Sequence, residues 1–358
     1  MVSVPGCALL LFPDPFLALA RASPEVEAKV RDYLGALAFA LPPALLFTAF
    51  RGFNTVVSRP RIVMALQLGA LALKVPLSAL LVFGLPAWQV PALGAFGCGI
   101  ATAIVLTLQL AAAWQVVRRD PFYHAFGLRT RLAAPDRKSL FALARLGLPM
   151  GGSIMIEVTG FTFMALFIAR LGVTPVAAHQ LAANIATLLF MMPLAIGNAT
   201  GVLVAQRVGA SDLADARRLG WHGTAFALLV AGAMGVAIYL LREPILRLYT
   251  ADAAVIAAAL TLAAGVVLFH LADAGQAVLG FVLRAWRIAT APLVIYAFAQ
   301  WGVGLAGGCV LAFDIGGFTP QPLLGAPGFW AAATLGLVLS GLGQYAFLVW
   351  LYRRQGAR

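Results

Sequence analysis

Residues 253–284 read AAVIAAALTLAAGVVLFHLADAGQAVLGFVLR, and this stretch decides the class of fold. Apart from Asp273 and the closing Arg284, it contains no acid, lysine or arginine. About 20 apolar residues in a helix are enough to cross the roughly 30 Å hydrocarbon core of a bilayer. The stretch therefore predicts a transmembrane helix that carries an acid inside the membrane.

The rest of the chain has the same character. Of its 358 residues, 62% are apolar and 11% are charged, against roughly 45–50% and 25% in soluble globular proteins. Only helices or closed barrels satisfy their backbone amides inside a bilayer, and these apolar runs lack the two-residue alternation of barrel strands. We predict an all-α membrane protein with nine full-length helices, at residues 33–57, 61–84, 91–117, 141–170, 174–204, 221–241, 253–284, 288–312 and 328–352.

The net charge of +12 follows the predicted topology. If the C-terminus is cytoplasmic, most arginines and lysines fall in cytoplasmic loops, as the positive-inside rule requires. This distribution predicts a multi-pass inner-membrane protein with a cytoplasmic C-terminus and no nucleic-acid partner. The three cysteines lie in apolar stretches without metal-ligand spacing, and we interpret them as packed thiols.

Internal repeats predict two homologous lobes. Three segments recur at a nearly constant offset: Pro15-Phe16-Leu17 as Pro244-Ile245-Leu246, Phe50-Arg51-Gly52-Phe53 as Leu283-Arg284-Ala285-Trp286, and Gly94-Ala95-Phe96-Gly97 as Gly325-Ala326-Pro327-Gly328. The predicted division is a partial first lobe at 1–117 (the end of helix 3 and helices 4–6), a cytoplasmic linker at 118–139 and a complete second lobe at 140–358 (helices 7–12).

The same offset places the start of the first lobe before Met1. We therefore expect two helices and most of a third to be missing, with the short apolar stretch from Val2 to Phe12 as the tail of the third. The alternative is a three-helix insertion in the second lobe.

Glu157 and Asp273 are the two acids placed well inside predicted spans. An ionisable side chain there costs from about 2.5 kcal/mol upward, so each is a candidate functional group. Two such acids on separate helices could exchange a proton for a sodium ion, and we predict that they form a cation-coupling site. The alternative is that each acid bonds a hydroxyl or amide of a neighbouring helix. We expect no catalytic residue, no cofactor, and no metal other than Na⁺ at these acids.

Other residues are weaker candidates. His270 shares a helix face with Asp273 and could modulate it, although a packed histidine is the simpler interpretation. Lys74 stands inside a span, and we expect its acidic partner on the missing segment; snorkelling to the membrane surface is the alternative. Adaptable side chains could line a substrate cavity or face lipid: Phe161, Phe190, Met191 and Met192.

Several motifs in order along the chain resemble the NorM-type branch of the multidrug and toxic compound extrusion (MATE) family. They are Tyr33-Leu34 with Pro42-Pro43, Arg51-Gly52, the segment from Leu93 to Ala103, Gly147-Leu148-Pro149, Glu157-Val158-Thr159, Val176-Ala177-Ala178-His179-Gln180, Phe190-Met191-Met192-Pro193 and Leu283-Arg284.

The resemblance implies a twelve-helix fold of two pseudo-symmetric six-helix lobes around a central cleft, and export of organic cations in exchange for Na⁺ or H⁺. It places Glu157 and Asp273 at the family's second-lobe acids. Lys74 and Ser78 depart from the family, since they stand where NorM-type sequences commonly have asparagines. A fixed ammonium there would repel a cation, which argues against cation binding in the first lobe.

We therefore expect a monomeric efflux antiporter for small organic cations or drugs, embedded in the lipid bilayer. A flippase for a lipid-linked precursor is one alternative, although its expected cationic cavity would have only Lys74. A non-functional transporter fragment is another. An enzyme is not expected, because paired metal-binding aspartates and closely spaced Ser/His motifs do not occur.

Overall fold

The computed structural model describes residues 3–14, 17, 23–84, 91–127 and 136–356. Within these ranges the chain is helical without strands, and nine helices are long and apolar enough to cross a membrane. The prediction of an all-α protein with nine spans is therefore confirmed. The chain divides into two compact units, Met1–Ala134 and Pro135–Arg358, and each is described by itself.

The first unit contains four described α-helices and one 3₁₀ helix. Three of the α-helices have membrane-spanning length. Their bounds are α1 Ser3–Leu11, α2 Pro24–Val56, α3 Pro60–Phe83 and α4 Gly94–Arg119, and the 3₁₀ helix spans Pro121–Phe126.

The second unit contains six helices of membrane-spanning length and one short helix between two of them. The bounds are α5 Arg137–Ala169, α6 Val173–Gly209, α7 Leu213–Leu240, α8 Arg242–Tyr249, α9 Ala253–Ala285, α10 Thr290–Ala312 and α11 Ala326–Gly356.

Several helices extend beyond the predicted spans. The first span is expected from residue 33, but α2 begins at Pro24, with proline at the start and Glu25 and Glu27 in its first turn. Proline and acids both favour a helix N-terminus, because proline needs no amide partner there and acids offset the helix dipole. Asp212 caps α7, with its carboxylate accepting from the amide of Asp215 at 3.1 Å. Hydropathy located the apolar segments, whereas polar capping set the ends of these helices.

Small residues let α4 pack closely on α2. A Cβ added at Gly99 would lie 2.6 Å from the Cβ of Ala36 and 3.0 Å from the carbonyl oxygen of Tyr33. The 3₁₀ helix is bound to α2 by a hydrogen bond of 2.6 Å from the Tyr123 hydroxyl to the buried Asn54 side chain. These contacts hold α4 and the 3₁₀ helix against α2.

The substitution Gly99→Val is expected to destabilise the first unit by about 1–3 kcal/mol, the usual cost of forcing extra methyl groups into a packed interior. Gly69→Val on α3 is the matched control, because nothing lies within 4 Å of a Cβ added there. Thermal unfolding of the purified variants in detergent measures the difference. Equal Tm values for the two variants would contradict this packing.

The second unit has an aromatic core. Phe269 of α9 packs edge-on against Trp330 of α11 at 5.2 Å between ring centroids, and Phe161 of α5 packs against Phe269 at 5.7 Å. Trp330 and Phe329 are each 1% exposed. This core holds α5, α9 and α11 together next to the acids.

Candidate cation-coupling site

Glu157 lies within α5 and Asp273 within α9, and both side chains belong to the second unit. Both residues are half-buried, and each carboxylate is within electrostatic range of the other. Among the described residues, no hydrogen bond or ion pair engages either carboxylate. Because buried acids with a purely structural role are normally hydrogen-bonded, this arrangement favours a functional pair.

Glu157 opens onto a cleft between α5, α9, α10 and α11. The cleft has about 30 Å³ of open space and mostly apolar walls, with Glu157, Tyr296 and Gln300 as its main polar side chains. Its other lining residues are Ile156, Gly160, Phe161, Met164, Phe269, Gly304, Leu305, Phe329 and Ala333. Apolar walls with a few convergent polar groups are the usual lining of a small-molecule site, and the open space has the size of a water molecule or a monovalent cation.

The polar wall of this cleft comes from an irregular helix. Residues Phe298–Ala306 of α10 form a π-helical stretch, a rare geometry that is frequent at functional sites. Tyr296 and Gln300 line the cleft one helical turn apart, and the Trp301 indole donates to the Ile156 carbonyl at 3.4 Å. This stretch therefore positions neutral oxygen atoms beside the turn of α5 that carries Glu157.

Arg284 at the end of α9 is a third charged residue near the acids, and the sequence analysis placed it at the end of a span and in the MATE-like motif but not among the candidate site residues. Its guanidinium is within electrostatic range of Glu157 and lies 4.5 Å from the centroid of the Phe281 ring. A Cβ added at Gly280 would lie 3.3 Å from Nη2 of Arg284. The glycine one turn before the arginine leaves room for the side chain to fold back along the helix, and this pair is the signal that was available in the sequence.

Tyr296 and Gln300 were also missed from the sequence. Their spacing of one helical turn inside an apolar span is the pattern that could have indicated them.

His270 is 1% exposed, and neither ring nitrogen has a hydrogen-bond partner among the described residues. It lies on α9 one turn from Asp273, so its suggested role as a modulator stays a prediction. His179 on α6 is also buried and packs against Trp330 at 5.9 Å between ring centroids, and its Nδ1 has no hydrogen-bond partner among the described residues.

Lys74 and Ser78 belong to α3 of the first unit. Both are half-buried, and the Ser78 hydroxyl has no hydrogen-bond partner among the described residues. Within the described part of the chain, no carboxylate lies within ion-pair distance of Lys74. The expected acidic partner of Lys74 stays a prediction.

Of the four side chains predicted to line a substrate cavity, Phe161 lines the cleft beside Glu157. Phe190 is half-buried on α6, while Met191 and Met192 are 50% and 45% exposed. These three are not among the residues that line this cleft. Their role in substrate binding stays a prediction.

The membrane-length helices and the acids inside them define a multi-pass α-helical membrane protein. The MatE family model matches residues 149–310, a range that includes both acids. The chain is 39% identical over 342 residues to the probable multidrug resistance protein NorM of Aromatoleum aromaticum, covering 96% of this chain and 73% of that protein. It is 34% identical over 353 residues to the multidrug resistance protein NorM of Aliivibrio fischeri, covering 99% and 76%.

The chain therefore belongs to the MATE family, whose members are membrane efflux transporters and not enzymes. The fold agrees with this assignment. The eukaryotic MATE transporter AtDTX14 matches with a TM-score of 0.85 at 18% identity, over 97% of this chain and 75% of that chain.

Proposed function

We propose that this protein is an antiporter that exports drugs and other small organic cations in exchange for Na⁺ or H⁺. The observation that carries the proposal is the pair of unbonded acids, Glu157 and Asp273, on separate spans of one unit. The relatives bear the name multidrug resistance protein, which supports drug export as the transport activity.

The acid pair suits a site that binds and releases a monovalent cation. Two neighbouring carboxylates repel each other strongly where the dielectric is low, and a shared proton or metal ion relieves that repulsion. The side-chain oxygens of Tyr296 and Gln300 are neutral ligands of the kind that bind hard cations. Emptying the site restores the repulsion, and a ligand that binds one conformation better can then shift the transporter between states.

Drug binding is proposed for the apolar cleft beside Glu157. Phe161 and Phe269 line this cleft, and a flat organic cation would reach their rings only after the cleft has widened. Contacts between a cation and an aromatic ring are worth about 0.5–2 kcal/mol. Competition between drug and coupling ion for Glu157 would link the two fluxes. The protein is further proposed to act as a monomer in the inner membrane with a cytoplasmic C-terminus.

The experiment is ethidium efflux from cells of a bacterial strain that lacks its own multidrug pumps. Cells expressing the full chain are loaded with ethidium, and efflux is started by an inward Na⁺ gradient or by an acid pulse. We expect efflux with one of the two ions and none after both gradients are collapsed. Efflux no faster than in empty-vector cells would contradict antiport and favour a chain without transport activity.

Arg284→Gln is expected to lower the half-maximal concentration of the coupling ion several-fold while leaving the direction of transport unchanged. The reason is that the Arg284 guanidinium acts on Glu157, so a fixed positive charge competes with the incoming cation. Arg284→Lys should behave like the unmodified protein, because it keeps the charge. Arg287→Gln, at an exposed position just beyond α9, is the matched control. If the half-maximal concentration of the coupling ion is the same for all three variants, Arg284 does not act on the coupling site.

A further inference from the structure

A long groove that neither acid lines runs along the membrane-spanning part of the second unit. Its walls are α7 and α11, its floor is α9, and its volume is about 660 Å³. The lining is almost entirely apolar, and it includes the well-exposed side chains of Leu268, Leu342 and Tyr345. These helices are membrane-spanning by length and composition, so the material that covers such a groove is hydrocarbon.

A basic and aromatic pocket continues the groove at one end. It is open to the surface, has a volume of about 390 Å³, is lined by Arg217, Trp221, Val349, Tyr352 and Arg353, and shares Trp221 with the groove. Helical spacing indicates that the basic pocket and the groove form one continuous surface. Arg217, Trp221 and Leu228 follow each other on one face of α7, and Arg353, Val349, Tyr345 and Leu342 do so on one face of α11.

Arg217 lines this pocket and has one donor without a partner in the described part of the chain. Its Nε is buried and has no hydrogen-bond partner among the described residues, while its guanidinium lies 5.3 Å from the centroid of the Tyr352 ring. The nearby acid Asp215 is paired with Arg207 at 2.9 Å. A buried guanidinium N–H without a partner is costly and calls for an acceptor, and arginine binds phosphate with paired hydrogen bonds.

We propose that Arg217 and Arg353 bind the phosphate of an anionic phospholipid whose acyl chain lies in the groove. The groove from Tyr345 to Thr334 covers twelve residues of α11, and the eleven steps between them span about 16 Å at 1.5 Å per residue. This length matches one leaflet, about half of the roughly 30 Å core. Trp221 and Tyr345 lie where the basic pocket meets the groove, the depth at which tryptophan and tyrosine normally mark the membrane interface. The lipid therefore belongs to the leaflet on the side of the C-terminus.

Native mass spectrometry of the purified full chain tests the proposal, with added phosphatidylglycerol or phosphatidylcholine of equal chain length. We expect phosphatidylglycerol to be retained preferentially. Arg217→Gln should weaken that retention about fivefold, the effect of removing about 1 kcal/mol of charge attraction. Arg217→Lys should weaken phosphatidylglycerol retention less than Arg217→Gln does. Arg218→Gln should leave the retention unchanged, because Arg218 is exposed and lies outside the pocket.

A second variant tests the groove separately from the charge. Gly341→Leu places a side chain in the groove, where a Cβ at this position has no neighbour closer than 3.8 Å. It should reduce retention of long-chain phosphatidylglycerol without weakening binding of a short-chain analogue with the same headgroup. Equal retention by Arg217→Gln and Arg218→Gln would overturn the headgroup assignment. Displacement of the lipid by millimolar inorganic phosphate would show a free-anion pocket instead of a lipid site.

Discussion

Glu157→Gln is expected to abolish ion-driven ethidium efflux, with a loss of at least about tenfold relative to the unmodified protein. The amide keeps the size of the side chain and removes the negative charge that the proposed cation requires. Coupling between two ligands on one protein is typically worth about 1–3 kcal/mol, or about 5- to 150-fold, so loss of the shared group uncouples export from the ion gradient. Ethidium accumulation under an imposed Na⁺ or H⁺ gradient measures the effect.

The matched control is Glu243→Gln. Glu243 lies on α8, is ion-paired with Arg247 at 2.8 Å and is exposed. Surface pairs of this kind contribute about 0–1 kcal/mol, so efflux should be unchanged. Membrane abundance and Tm of both variants separate lost transport from lost folding. Normal efflux by a well-folded Glu157→Gln protein would show that Glu157 is not part of the coupling site.

Asp273→Asn is expected to abolish efflux to the same extent, because the two carboxylates act on each other and we treat them as one site. The double variant Glu157→Gln/Asp273→Asn should then be no worse than either single variant, since groups that work as a unit have non-additive effects. Initial efflux rates of the three variants, each corrected for membrane abundance, measure this. Additive losses would indicate two independent acids and contradict a shared cation.

The membrane fold was predictable because hydrophobicity is a strong signal over a whole span. Long apolar runs with few charges specify where a helix crosses, and the nine expected spans agree with the structure. Helix ends were less predictable, because Pro24 and Asp212 start helices outside the apolar segments. Those starts depend on local capping and not on burial in the membrane.

The acids of the site were predictable for a different reason. A carboxylate inside an apolar span is so costly that Glu157 and Asp273 stand out without any structure. Arg284, Tyr296 and Gln300 did not stand out, because their relation to Glu157 depends on how α9 and α10 fold back beside α5. The room beside Gly280 and the π-helical stretch of α10 are properties of the packed unit.

The most direct test is ethidium export by the purified protein in proteoliposomes, where the experimenter sets the only gradient. We expect export under an inward gradient of Na⁺ or H⁺, its arrest when that gradient is collapsed, and its loss in both Glu157→Gln and Asp273→Asn but not in Glu243→Gln. Gradient-driven export that persists in both acid variants would contradict cation coupling through Glu157 and Asp273.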